Sequence, residues 1–270
     1  MGPFVIPHPF VGPYSGAMAL LTCDFFSDAL ERGTSMTVVL PQPTLEQIGV
    51  SGTVHRDPPR VLYLLHGLSD DHTAWLRYTS IERYATALGF AVVMPAVDRS
   101  FYANELHGHA YWDYVSDELP QVVRRFLRVS HDPADTFVAG LSMGGYGALK
   151  HAVTHPERYA GVASLSGVAD IRQLAERLER TEIVDRVFGG QFGPEDDLFG
   201  LLASVEPTTA PRLYVGCGTE EDRLMPPNER FVAEARARGL DVTTDFRPGV
   251  HEWGLWDAQI QDVLTWMAAT

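Results

Sequence analysis

Short apolar runs rich in β-branched residues recur along this chain with helical patterns set between them. That alternation constrains the fold more than any other feature. TSMTVVLP, RVLYLLHG, FAVVMP, DTFVAGLS, GVASLSG, PRLYVGCG and DVTTDFRPG read as strands, most of them stopped by proline or glycine. SIERYATALG reads as a helix closed by Gly89, and YWDYVSDELPQVVRRFLRV as a helix that Pro120 kinks or restarts. GGYGALKHAVTHP, NERFVAEARARG and GLWDAQIQDVLTWMAA read as further helices. Strands alternating with helices predict an α/β architecture, a mostly parallel central sheet with helices on both faces. QPTLEQIGVSGTVHRDPP is turn-rich and is expected to be a surface connection. Residues 168–206 break the rhythm and are expected to form a small cap-like helical excursion over the C-terminal edge of the sheet. Residues 1–17 are rich in Pro and Gly without periodicity, so a flexible extension is expected ahead of a single domain over 18–270.

Composition narrows the partners. Hydrophobic residues make up 45% of the 270 residues and charged residues 21%, enough to bury a full core. The formal net charge of −14 argues against a nucleic-acid surface, which needs clustered Lys and Arg. No apolar stretch approaches the roughly 20 residues of a membrane span, and the N-terminus lacks a basic region ahead of its apolar run. No nucleic-acid or membrane partner and a cytoplasmic location are expected. The two cysteines, Cys23 and Cys217, lie far apart and outside any CxxC pair, so two buried free thiols are expected.

The chemistry concentrates in GLSMGG, at Gly140 to Gly145, where a buried strand turns into a helix. Ser142 alone fits an inert helix-start turn. It equally fits a nucleophile elbow, in which small neighbours let a strained turn expose the hydroxyl and aim the Met143 N–H and the positive helix end at one spot. A serine hydroxyl needs a base to take its proton. PRLYVGCG runs into TEEDRL, which places three carboxylates on one loop, and the later strand ends in RPGVHEW, which supplies His251. Loops at the C-terminal ends of parallel strands converge, so these groups can meet. In LLHGLSDDHTAW a glycine turn can lend the Leu68 N–H as a second oxyanion donor, with His66 bracing the turn. The joint order of nucleophile, acid and base is more specific than Gly-x-Ser-x-Gly alone.

LHGLSDDHTAWLRYTSIERYA, ELPQVVRRF, FVAGLSMGGYGALKHAVTHPERY, CGTEEDRL and PGVHEWGLW together resemble the esterase-D and tributyrin-esterase family of α/β-hydrolases, which includes S-formylglutathione hydrolases and has mycolyltransferases as more distant relatives. The resemblance runs from about Met18 to the C-terminus. It implies the α/β-hydrolase fold, Ser142 as nucleophile, His251 as base and Asp222 as the acid, with Leu68 and Met143 N–H groups as the oxyanion hole. The chain departs from the pattern in carrying GTEED, where Glu220 and Glu221 compete with Asp222, and in Asp70 and Asp71 after the HG turn.

Other residues have plainer readings. Ser166 in SLSG lacks a glycine two residues before it and reads as structural. His66, His72, His107 and His109 show no metal-binding spacing, so neither a metal nor an organic cofactor is expected. Trp112 and Trp253 flank motif loops and are candidate walls of the substrate pocket. The sequence thus predicts a serine carboxylesterase that hydrolyses small-molecule esters of short acyl chains through an acyl-enzyme on Ser142. An S-formylglutathione hydrolase, an acyltransferase and a non-catalytic ligand-binding homologue are the alternatives. Homo-oligomerisation is left open.

Overall fold

The computed structural model describes residues 15–44, 57–173 and 181–269. One eight-stranded sheet organises them, in the order β1-β2-β4-β3-β5-β6-β7-β8. Strands β1 (Ser15–Ser27) and β2 (Arg32–Thr44) form an antiparallel hairpin, and β2 pairs antiparallel with β4 (Phe90–Pro95). From β4 onward every pairing is parallel, through β3 (Arg60–Leu65), β5 (Thr136–Leu141), β6 (Gly161–Leu165), β7 (Arg212–Gly218) and β8 (Val242–Arg247). This is the mostly parallel α/β sheet expected from the alternation, in the α/β-hydrolase fold that the resemblance implies. Strand β1 begins inside the stretch read as an extension, so residues 15–17 belong to the sheet; residues 1–14 lie outside the described residues, as does 45–56 of the expected surface connection.

The period-2 geometry of strands splits the core into two layers. Val61, Tyr63 and Leu65 of β3 pack into one layer, while Leu62 and Leu64 pack into the other. The second layer is closed by α1 (Ala74–Tyr78), α2 (Ile81–Leu88) and α9 (Trp253–Ala268), which contribute Trp75, Ile81, Ala85, Trp256, Ile260 and Val263. Helix α2 ends where Gly89 adopts φ 74°, a left-handed cap.

The first layer is closed by α4 (Leu119–Phe126), α5 (Met143–Thr154) and α8 (Met225–Ala237). Helix α4 continues from a short α3 (Tyr111–Asp113) through a π-turn at Tyr114–Glu118. Pro120 has no N–H to give the Ser116 carbonyl one turn back, and Arg158 Nη1 donates to that carbonyl at 2.8 Å. The restart at Pro120 is thus a satisfied break in one helical run.

In the excursion, α6 (Thr181–Phe188) and α7 (Leu198–Leu202) are helical, while 174–180 lie outside the described residues. Ile171, Ile183, Val187, Leu198 and Leu202 are buried in the first layer. A buried ion pair, Lys150 Nζ to Asp196 Oδ1 at 3.2 Å, ties the excursion to α5. No helix among the described residues is long and apolar enough to cross a membrane.

Candidate active site

Ser142 joins β5 to α5 with φ 53° and ψ −115°, a backbone conformation that side chains rarely adopt. The turn survives because its surroundings force it. Ser142 N–H donates to Leu165 O at 2.9 Å, and the Tyr146 N–H closes on Ser142 O at 3.1 Å. The flanking glycines are required by contact. A Cβ on Gly140 would lie 2.4 Å from Gly144 O, and one on Gly144 would lie 2.4 Å from Leu65 O. Only backbone without side chains fits where β3, β5 and α5 converge, which explains the composition around Ser142.

His251, on the loop between β8 and α9, places Nε2 3.0 Å from Ser142 Oγ and Nδ1 2.6 Å from Glu221 Oε2. A carboxylate only accepts, so Nδ1 carries the ring proton and Nε2 offers its lone pair to the serine hydroxyl. The imidazole is 41% exposed, whereas the Glu221 side chain is 2% exposed. The base therefore faces the cleft and the acid lies behind it. Burial pushes the Glu221 carboxyl upward, but hydrogen bonds from His251, Ser166 and the Gly218 N–H outweigh it and hold it below the usual carboxylate range.

The carboxylate on His251 is Glu221, not Asp222. Asp222 is exposed at the next position and lines the cleft wall. Strand β7 ends at Gly218, and a tight turn closes with Glu221 N–H on Gly218 O at 3.1 Å. That turn sends Glu221 inward while Glu220 and Asp222 face solvent. No signal in the string TEED separates the three acids.

The HG turn after β3 is rigidly braced. His66 Nδ1 donates to Gly67 O at 2.8 Å, and Nε2 accepts the Val97 N–H at 3.1 Å. Burial lowers the His66 pKa and keeps the ring neutral, as an accepting Nε2 requires. Tyr102 Oη donates to His66 O, Trp75 Nε1 to Leu65 O, and the Gly67 N–H to Asp70 Oδ2 at 3.2 Å. Asp70 thus stitches the turn from within. Leu68 on this turn and Met143, the first residue of α5, both border the cleft beside Ser142. As the first helical residue, Met143 has no acceptor for its N–H within the helix.

The cleft has a volume of about 880 Å³, with Phe101, Val168, Leu224 and Trp253 among its apolar walls. Trp253 is braced edge-on by Trp75 at 5.2 Å between ring centroids and by Trp256 at 5.4 Å. Trp112 does not line it. Its ring stacks on His155 and packs against His151 and Lys150 along the far half of α5. Nearness to a motif in sequence does not translate into nearness in space, because Trp112 is held at the C-terminal end of α5 whereas Ser142 stands at its N-terminal end. Of the remaining histidines, His72 bonds Thr37 Oγ1 at 2.8 Å. Cys217 is buried, Cys23 is half-buried, and both are free.

Residues 27–267 match the Esterase family. An acetyl esterase of Caldicellulosiruptor saccharolyticus is 26% identical over 264 residues, spanning 93% of this chain and 98% of that protein. Among solved structures, the substrate-bound fluorophosphonate-binding serine hydrolase F (FphF) of Staphylococcus aureus superposes with a TM-score of 0.83 at 32% identity, covering 95% of this chain and 99% of the other. The S-formylglutathione hydrolase FrmB of Staphylococcus aureus, as apoenzyme, superposes with a TM-score of 0.80 at 32% identity, covering 93% and 99%.

Proposed function

The chain belongs to the Esterase family and is a serine hydrolase acting on ester bonds, and on that premise we propose that its reaction runs through Ser142, His251 and Glu221. The observation that carries the assignment is the continuous relay from Ser142 Oγ through His251 to Glu221 Oε2. Ser142 Oγ attacks the ester carbonyl as His251 Nε2 takes its proton. Glu221 stabilises the imidazolium and fixes its tautomer. The Leu68 and Met143 N–H groups receive the oxyanion. The C–O bond then breaks as His251 returns the proton to the leaving alcohol, leaving an acyl-enzyme. A water, deprotonated by the same nitrogen, adds to the acyl carbonyl; collapse expels Ser142 Oγ, which recovers its proton.

Within this reading the substrate is a small neutral ester of short acyl chain. Phe101, Val168 and Trp253 wall the apolar part of the cleft, while Asp70, Glu220, Asp222 and Glu252 line it against Arg223. That balance disfavours anionic groups and makes the thioester of an acidic tripeptide, the reading suggested by FrmB, the weaker alternative. We further place the protein in the cytoplasm, where its two free thiols are at home, and take the chain from Ser15, where β1 begins, to 270 as one domain carrying 168–206 as a cap.

Ser142→Ala should keep the fold and lower kcat by about 10⁴ to 10⁶. Fluorophosphonate labelling should disappear with it. Across p-nitrophenyl esters, kcat/KM should peak between acetyl and butyryl, because a methylene that fits gains about 0.8 kcal/mol and one that does not fit loses it. A maximum at decanoyl, or a Ser142→Ala enzyme retaining about a tenth of its activity, would overturn the corresponding part of the reading.

A further inference from the structure

Behind the Glu221 carboxylate lies Ser166, immediately after β6 and wholly buried. Its hydroxyl is used on both sides. Oγ donates to Glu221 Oε1 at 2.5 Å and accepts the indole N–H of Trp256 at 3.0 Å. Trp256 in turn meets the His251 ring in a T-shaped contact, with centroids 4.8 Å apart and planes at 85°. One indole thus touches the base and, through one hydroxyl, the acid.

The backbone of Ser166 is expensive. Its φ of 47° lies in the left-handed region, where glycine rests without strain and serine does not. The turn is held there by the Ser166 N–H on Gly216 O at 2.8 Å and by Asn228 Nδ2 on Gly167 O at 2.7 Å. Strain kept where glycine would fit points to a task for the side chain. The task is visible in the acid itself. A glutamate carries one more rotatable bond than an aspartate, so its carboxylate needs more fixing to present one oxygen in one direction. Two donors fix Oε1, the Gly218 N–H at 2.9 Å and the Ser166 hydroxyl.

We propose that Ser166 and Trp256 are a positioning pair for the acid: the Trp256 N–H orients the Ser166 hydroxyl, whose proton pins Glu221 Oε1 so that Oε2 meets His251 Nδ1. The pair rests on the reading of Ser142, His251 and Glu221 as the reacting relay. Ser166 lines no part of the cleft and acts only through Glu221.

The test is steady-state kinetics on p-nitrophenyl acetate with Ser166→Gly, Trp256→Phe and Glu221→Gln, singly and combined. Glycine removes the hydroxyl while suiting the backbone, so the fold should survive, with backbone relief offsetting part of the cost of the unpaired Trp256 N–H. Loss of a hydrogen bond to a charged group should lower kcat by about tenfold to a hundredfold, with KM little changed. In the Glu221→Gln background the same substitution should cost nothing further, since the group it positions is gone. Trp256→Phe keeps an aromatic ring and removes the N–H together with the second ring of the indole; Trp256 also lines the cleft, so KM is read beside kcat, and kcat should fall in the same direction, non-additively with Ser166→Gly. A Ser166→Gly enzyme with wild-type kcat, or an equal loss in the Glu221→Gln background, overturns the pair. If Ser166→Gly does not fold, Trp256→Phe decides alone, and wild-type kcat there overturns the pair as well. If Ser142→Ala abolishes turnover while Ser166→Gly is fully active, only the pair fails; if Ser142→Ala stays active, the relay itself fails.

Discussion

Glu221 and Asp222 are adjacent in the chain and opposite in environment: one carboxylate is buried against an imidazole, the other stands in solvent at the cleft wall. The difference in cost should be large. Glu221→Gln replaces an acceptor by an amide that can favour the wrong imidazole tautomer, and kcat should fall by about 10⁴. Asp222→Asn should leave kcat/KM close to wild type. Initial rates on one short-chain ester decide between them, and a severe loss at Asp222 would reverse the assignment. Ser142 and His251 are legible in the sequence because strand ends, glycines and chain order all point to them. The acid is legible only to within three residues. Which member of TEED turns inward is set by the closure of Glu221 N–H on Gly218 O, a tertiary contact of one turn that no pattern encodes. Ser166 reads as merely structural for a related reason: its contacts come from Trp256 and Glu221, 90 and 55 positions away.

Among the elements, the seven strands from β2 to β8 and the long helices follow from hydrophobic periodicity, and Pro120 marks the restart of its helix. Strand β1 does not stand out in the sequence because its alternation is poor: Leu20 and Leu21 are consecutive and both exposed. The excursion is dense in charge, yet it seats a row of aliphatic side chains in the core and anchors itself by Lys150 and Asp196. Asp196 does double duty there, since its other oxygen accepts the Gly193 N–H at 3.1 Å. Asp196→Asn leaves a buried ammonium without its counter-charge and should destabilise the fold by about 3 kcal/mol in urea titrations. The relay atoms are untouched, so kcat at low temperature should hold. A midpoint unchanged from wild type would mean that the pair does not pin the excursion.

For the molecule as a whole, two buried histidines set an acid limit. Burial, with the charges of His155, Arg158 and Lys150 added, pushes the His151 pKa down to about 3, and burial also lowers that of His66. Both stay neutral in the folded state while the unfolded chain takes up protons near the ordinary value of about 6.5. Unfolding therefore binds protons below that pH, and stability is lost as pH falls from about 6.5 toward 3. Between about pH 7 and about pH 5.5 His151 should remove about 1 kcal/mol, and His66 adds in the same direction. His151→Gln should shrink that difference by one histidine's share, read from urea denaturation at the two pH values. An undiminished difference would place the acid sensitivity elsewhere.

The strained elbow carries a consequence for laboratory evolution. Glycine at position 142 would occupy φ 53° with less strain than serine does, so the substitution that silences the nucleophile is also one that relaxes the backbone. A library screened only for survival on heating would be drawn toward that change and would return sturdy, inert proteins. Thermal screens of this scaffold need a turnover readout in every round, or they will select against the enzyme they set out to improve.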